Sequence, residues 1–160
     1  MAAHQGRNEV MRLRSRLKTV ATAIDGAGLN SELTSHYARY LCVLISGYAE
    51  QSVKELVMQY CRVRSETRIQ RHVGIQLKRL RNVDQEKLRQ LVESFDVTWW
   101  ETLVLQYQDQ LSAFDSVAAL RNNISHGGDA GVTMVTIRQY LKDVETVLDA
   151  LSDLFDPKNS

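Results

Sequence analysis

Apolar residues recur every three or four positions along nearly the whole chain, and this spacing predicts amphipathic helices rather than strands. Gly26 and Gly28 follow the first stripe, and glycine often ends a helix because it adopts the left-handed conformation without strain. The pattern therefore begins with one helix and a glycine-containing turn. The residues of this stripe are Val10, Leu13, Leu17, Val20 and Ile24.

A long second helix is predicted from about Glu32 to about Arg64. Asn30 or Ser31 provides its N-terminal cap. Two apolar stripes run along this helix, which indicates burial over much of its circumference and a central position. Gly47 lies midway, where glycine costs about 1 kcal/mol relative to alanine. We interpret it as a point at which another helix approaches closely.

The pattern continues as a basic segment, a short helix that Asp84 caps, and a further helix that ends near His126. Residues 96–100 break the periodicity before that helix, and residues 127–131 form a loop after it. The last helix carries the most regular stripe of the chain, and Pro157 ends it. The basic segment presents one apolar face, made of Ile69, Val73, Leu77 and Leu80.

These elements predict an all-α fold: one domain over residues 1–160, built as a helical bundle of four to five main helices plus a short basic helical excursion. A length of 160 residues suits one domain with one core. The chain contains no run of about 18 apolar residues, so we expect no membrane span. Because the polar start also lacks a signal-peptide pattern, we expect a cytoplasmic location.

Charge is unevenly distributed, although the net charge is only +1. The N-terminal stretch and residues 62–81 are rich in arginine and lysine, whereas the last third is acidic. This asymmetry predicts a charge dipole with local basic surface. Arg68, Arg71 and Arg79 are the candidate RNA-binding residues of the basic segment, and a solvated helix face is the alternative.

Cys42 and Cys61 are the only cysteines, and they lie 19 positions apart with no ligand pattern around them. Two buried thiols in a reducing compartment are the expected outcome. No cluster of metal-ligating residues is evident in the sequence. We therefore predict neither a metal site nor a cofactor.

The candidate chemistry lies in the segment Arg121-Asn122-Asn123-Ile124-Ser125-His126-Gly127. Arg121 continues the register of the preceding core stripe, so it either pairs with a buried acid or lines a cleft. Asn122 and His126 are four residues apart, so Asn122 can orient the imidazole. A histidine at a helix C-terminus is suited to proton transfer near neutral pH. Glu50 either forms an ion pair with Arg121 or serves as an accessory acid.

This segment resembles the HEPN domain (higher eukaryotes and prokaryotes nucleotide-binding), whose signature is an arginine, four to six residues and a histidine, usually with a polar residue after the arginine. It is most similar to the RiboL-PSP-type and related prokaryotic branches, in which a small residue, often alanine, precedes the histidine. Ser125 stands at that position here and departs slightly from the pattern. The architecture matches over the whole chain, and the motif over about eight residues.

The resemblance implies a metal-independent endoribonuclease that cleaves RNA through attack of the ribose 2′-OH. His126 would move the 2′-OH proton, Arg121 would stabilise charge on the phosphate, and Asn122 would hold the histidine or the phosphate, with Ser125 as an accessory residue. It also implies a homodimer with a composite active site. A toxin or phage-defence role is implied as well, with an antitoxin or regulatory protein as partner.

Other interpretations remain open. Some HEPN domains have lost catalysis and act as nucleotide-binding or protein-interaction modules. The polar end of the helix is also compatible with a plain C-terminal cap in a purely structural bundle. Trp99 and Trp100 can stack on bases or pack at a helix start.

Overall fold

The computed structural model describes residues 4–128 and 131–158, and these ranges contain six α-helices and no strand. The predicted all-α bundle is confirmed. Within the described residues, no helix combines the length and the apolar character needed to cross a bilayer. The helices are α1 (Gln5–Ala23), α2 (Ser31–Arg64), α3 (Thr67–Leu77), α4 (Gln85–Glu93), α5 (Val97–Ser125) and α6 (Met134–Leu154).

Helix α2 is the centre of the bundle, as its two apolar stripes predict. It contacts α1, α3, α5 and α6, whereas α3 packs against α2 alone and α4 against α5 alone. Four long helices therefore form the bundle, and two short ones lie between α2 and α5 in the chain. Burial of each large apolar side chain contributes about 1.5–3 kcal/mol. The core includes Leu41, Ile45, Leu56, Leu111, Phe114, Val144 and Leu148, all 1% exposed or less.

The helix ends agree closely with the sequence signals. The Asn30 side chain accepts a hydrogen bond from the Leu33 N–H at 2.9 Å, so Asn30 caps α2. Asp84 caps α4 in the same way, accepting from the Lys87 N–H at 2.8 Å. Each cap satisfies a backbone N–H that has no partner inside its helix.

The predicted break at residues 96–100 is wrong, because α5 already begins at Val97. Asp96 caps it by accepting from the Thr98 N–H at 2.8 Å. Trp100 is buried, and the Trp99 ring lies 5.2 Å from the Phe155 ring in an edge-to-face contact. The tryptophans thus pack in the first turn of α5. Val97 in the same turn is 55% exposed, so the apolar residues of this turn do not follow one stripe.

The predicted apolar face of the basic segment is also only partly present. Leu77 is buried, but the Ile69 side chain is 53% exposed. Because α3 contacts only α2, only one side of α3 is covered, and the rest of its apolar face stays in contact with solvent.

The predicted charge dipole is wrong at its N-terminal end, because α1 and α6 are neighbours and their opposite charges pair. Arg7 lies 2.6 Å from the Asp153 carboxylate, and Arg14 lies 2.6 Å from that of Asp149. Most of the N-terminal positive charge that faces α6 is therefore neutralised within the fold. The basic surface that remains is the region of α3 and the segment after it.

Close helix approach occurs at Gly6, not at Gly47 as predicted. A Cβ on Gly6 would lie 2.4 Å from the Glu55 carbonyl oxygen and 2.8 Å from the Gln59 Cβ. A Cβ on Gly47 would meet no atom within 4 Å, because Gly47 lines an open groove between α1 and α2. The start of α1 thus lies directly on α2.

Gly6→Ala should lower the free energy of unfolding by about 1–3 kcal/mol, because the added methyl group forces α1 away from α2. Gly47→Ala is the matched control and should raise it by up to about 1 kcal/mol, through helix propensity alone. Urea unfolding followed by far-UV circular dichroism measures both changes. A Gly6→Ala protein as stable as the wild type would contradict the close contact.

Candidate functional site

The segment from Arg121 to Gly128 forms the last turns of α5 and its C-terminal cap. The Gly127 N–H donates to the Ile124 carbonyl at 3.1 Å, and the Gly128 N–H donates to the Asn123 carbonyl at 2.9 Å. These two bonds form a Schellman motif, which requires a residue in the left-handed region. Gly127 supplies it with a φ of +74°. The helix therefore ends at His126 as the glycines predict.

His126 is exposed at this helix end, and Arg121 is partly buried one and a half turns before it. Within the described residues, neither the guanidinium nor the imidazole forms a hydrogen bond or an ion pair. Five residues of α-helix separate the two side chains by about 140° around the axis. One helix thus presents the two groups in different directions, and both are available for a ligand.

Glu50 lies on α2 and does not form the ion pair with Arg121 that we considered from the sequence. Its carboxylate accepts from Lys54 Nζ at 2.8 Å and from the Asn82 N–H at 2.9 Å. Lys54, one turn further along α2, is therefore its direct partner.

Arg121 nevertheless interacts electrostatically with Glu50. Burial raises the pKa of the Glu50 carboxyl, but the hydrogen bonds from Lys54 and Asn82 act in the opposite direction. The positive charges of Lys54 and Arg121 add to their effect, and the pKa lies below its usual value. Glu50 is therefore an ionised carboxylate near Arg121 at neutral pH.

Asn82 is the residue of this site that the sequence did not reveal. It is 7% exposed and has a φ of +48°, in the left-handed region. Its amide nitrogen donates to the Ala118 carbonyl at 3.1 Å and to Asn122 Oδ1 at 2.9 Å, while its Oδ1 accepts from the Ser46 hydroxyl at 3.2 Å. The only sequence signal was an asparagine just before the Asp84 cap, since asparagine tolerates the left-handed region better than most residues.

Asn122 is thus held by Asn82 and makes no side-chain hydrogen bond to His126. The predicted orientation of the imidazole by Asn122 is absent from the described residues; only the Asn122 carbonyl contacts His126, accepting its backbone N–H at 3.1 Å. Ser125, the last residue of α5, is exposed. Arg121, Asn122, Ser125 and His126 share one helix end, and Glu50 reaches it from α2 through Asn82.

Comparison with known families fits this arrangement. The family model described as RiboL-PSP-HEPN matches residues 11–156, which include most of α1 and all of the other five helices. The chain belongs to the RiboL-PSP-HEPN family. No curated protein and no solved structure matches it significantly.

The three candidate RNA-binding arginines of this HEPN domain lie on α3 and on the segment that follows it. Arg68, Arg71 and Arg79 are all exposed and form no ion pair within the described residues. Arg71 lines a shallow groove between α2 and α3, whereas Arg79 lines a depression between α3 and α4. Arg68 and Arg71 lie on α3, which does not contact α5, whereas Arg79 lies three residues before Asn82, which contacts Asn122 of the motif.

Both cysteines of the HEPN domain are buried free thiols, as predicted. Burial raises the pKa of the Cys42 thiol to about 11. A thiol that remains protonated at neutral pH is a poor nucleophile, so Cys42 is not a candidate nucleophile.

Glu50→Gln should lower the free energy of unfolding at neutral pH by about 1–2 kcal/mol, because the charge-assisted hydrogen bond from Lys54 disappears while the bond from the Asn82 N–H can persist. The folded-state pKa of Glu50 is depressed, so its contribution is present above the unfolded pKa of about 4.3 and is lost as the pH falls through the lower folded value. The difference between the two proteins should therefore shrink towards acid pH.

Urea unfolding of both proteins at neutral pH and near the folded-state pKa measures this change. A stability difference that is the same at both pH values would show that the Glu50 charge contributes nothing.

Proposed function

We propose that this HEPN domain is a metal-independent endoribonuclease, with Arg121, Asn122 and His126 as its catalytic residues. The observation that carries the proposal is the intact motif at the last turn of α5, where the imidazole of His126 is exposed and, among the described residues, both it and the Arg121 guanidinium are without a protein partner. A partly buried arginine that forms no hydrogen bond or ion pair with the described residues suits an anionic ligand.

The reaction proposed is internal transesterification. The imidazole of His126 removes the proton of the 2′-OH, the 2′ oxygen attacks the phosphorus, and the bond to the 5′ oxygen breaks. The leaving oxygen takes a proton, so the products are a 2′,3′-cyclic phosphate and a 5′-hydroxyl. Arg121 donates hydrogen bonds to the phosphate oxygens as negative charge develops on them. Glu50 and Ser125 are accessory: Glu50 adds negative charge beside Arg121, and the small Ser125 leaves room around the imidazole.

A homodimer with a composite site forms part of this proposal. Arg121 and His126 point about 140° apart on their helix, so they reach one phosphate more easily from two copies than from one. The leaving oxygen takes its proton from solvent, so each composite site needs one intact arginine and one intact histidine.

His126→Ala should lower the rate of RNA cleavage by at least about 10²-fold, because the proton acceptor is removed. Arg121→Ala should lower it similarly. Labelled RNA incubated in EDTA measures the rate, with an all-deoxy strand of the same sequence as substrate control. Since His126 is exposed, its variant should unfold at the wild-type temperature. Full activity in His126→Ala, or cleavage that requires Mg²⁺, would refute the mechanism. A wild-type protein that cleaves no RNA would favour the alternative, a non-catalytic nucleotide-binding or protein-interaction module.

A mixture of the two inactive proteins tests the composite site. After exchange, half of the dimers contain one copy of each variant, and one of their two sites combines an intact arginine with an intact histidine. Activity should therefore return to about a quarter of the wild-type value. A mixture as inactive as its components would place both residues of each site in one copy.

We also propose that the α3 region binds the RNA strand through Arg68, Arg71 and Arg79. Within the part of the chain that the structure describes, these exposed side chains have no acid to satisfy them, in contrast to the N-terminal arginines that pair with α6. When unpaired surface arginines bind the phosphates of an RNA strand, the counterions of those phosphates are released. This release contributes to affinity without any preference for sequence.

Replacing Arg68, Arg71 and Arg79 by glutamine should weaken RNA binding and reduce the slope of log K against log salt by about 0.7 for each phosphate that is no longer neutralised. The control removes the same charge from arginines that are already ion-paired, namely Arg12, Arg89 and Arg138. Fluorescence anisotropy at several salt concentrations, with the His126→Ala protein and labelled RNA, measures both. Equal slopes in the two triple variants would make the α3 region ordinary solvated surface.

The proposed setting is the cytoplasm, where buried thiols such as Cys42 and Cys61 stay reduced. A ribonuclease without metal dependence would damage the RNA of its own cell unless restrained. A role as a toxin or phage-defence effector, held by an antitoxin or regulatory protein, is consistent with that need.

A further inference from the structure

The polarity of the Asn82 side-chain amide, meaning which side its nitrogen and its oxygen occupy, is fixed by a contact with a main-chain carbonyl. A carbonyl oxygen can only accept hydrogen bonds, so the atom of Asn82 that lies 3.1 Å from the Ala118 oxygen must be the amide nitrogen. The Asn82 oxygen is then the atom that accepts from the Ser46 hydroxyl at 3.2 Å. A flipped amide would place two oxygen acceptors against each other in a buried position, which is strongly unfavourable.

The orientation of the Asn82 amide also determines the orientation of the Asn122 amide. The nitrogen of Asn82 lies 2.9 Å from the Asn122 side chain, so Asn122 must present its oxygen towards Asn82. The Asn122 amide nitrogen, with two N–H donors, is then the atom that Asn82 leaves free. Asn122 is exposed at the end of α5, so this nitrogen is available to a ligand.

Asn82 is itself held from three helices. Its main-chain N–H donates to Glu50 of α2, its carbonyl accepts from Lys87 of α4 at 3.3 Å, and its side chain contacts α5 through Ala118 and Asn122. A left-handed residue with this many partners is fixed by its surroundings before any ligand arrives.

We propose that Asn82 is a positioning residue that presents Asn122 to the substrate phosphate as a hydrogen-bond donor. This inference rests on the proposed ribonuclease function and deepens it. A phosphate oxygen is an acceptor and matches the free amide nitrogen. A histidine that acts as a base needs an acceptor at its other ring nitrogen, so the amide nitrogen would be the wrong partner for His126. The two roles open to Asn122 are thereby separated, and Asn122 binds the phosphate.

Two variants test the polarity and the positioning. Asn122→Asp keeps an oxygen towards Asn82 but removes the donor, and it should lower kcat roughly 10²-fold. Asn82→Gly retains the positive φ and removes the amide, so Asn122 is free to rotate. It should lower kcat about tenfold with a smaller change in KM. In an Asn122→Ala background, Asn82→Gly should cause no additional loss, because Asn82 acts through Asn122.

Ser46→Ala is the matched control. It removes a bond from the same buried network, but the Ala118 carbonyl still sets the polarity of Asn82. It should lower the unfolding temperature and leave kcat at the wild-type value. Initial rates of cleavage are measured with substrate in excess over enzyme, so that kcat and KM are obtained separately, and unfolding is measured on the same samples.

Each contrary outcome has a distinct meaning. A wild-type protein that cleaves no RNA would overturn the proposed function and this inference with it. If the wild type cleaves, Asn122→Asp with wild-type kcat would overturn the donor role. An equal loss from Asn82→Gly with and without Asn122, or an equal loss of kcat in Ser46→Ala, would overturn the positioning role and leave the ribonuclease proposal standing.

Discussion

The burial of α2 is the constraint on which the rest of the structure depends. This helix is about 50 Å long, and α1, α5 and α6 cover it along the bundle while α3 folds back against its C-terminal part near Met58. A buried polar group on such a helix is stabilised when a partner from another segment meets it. Gln59 meets the backbone N–H of Arg7 at 2.9 Å, and Ser46 and Glu50 meet Asn82. These three residues of α2 mark the points at which α1 and the segment after α3 return to it.

One of these return points lies behind the candidate site. The segment between α3 and α4 brings Asn82 against α2, and the same amide reaches α5 at Ala118 and Asn122. The helix end that carries Arg121 and His126 is therefore braced from inside the bundle through Asn122. Among the described residues, the two outer groups of the motif are left without protein partners. A rigid support with unpaired functional groups at its surface is the arrangement expected of a binding or catalytic site.

Electrostatics follows from helix adjacency rather than from position in the chain. Because α1 lies beside α6, arginines near the N-terminus meet aspartates near the C-terminus. The α3 region packs on α2 alone, and within the described ranges its arginines stay exposed and without an acidic partner. A net charge of +1 therefore coexists with a local cationic surface.

Local signals in the sequence determined the helices, their caps and the position of the candidate motif at the end of α5. Asn30, Asp84 and Gly127 act on backbone groups within a few residues, so their effect can be read without knowledge of the fold. The tertiary structure alone decided the role of Asn82, the close contact at Gly6 instead of Gly47, the exposure of Ile69 and the partner of Glu50. Each of these depends on which helices become neighbours, and residues such as Asn82 and Asn122 are 40 positions apart. A single sequence shows which face of a helix is apolar. It does not show which other helix that face packs against, or which residue becomes the partner of a polar side chain.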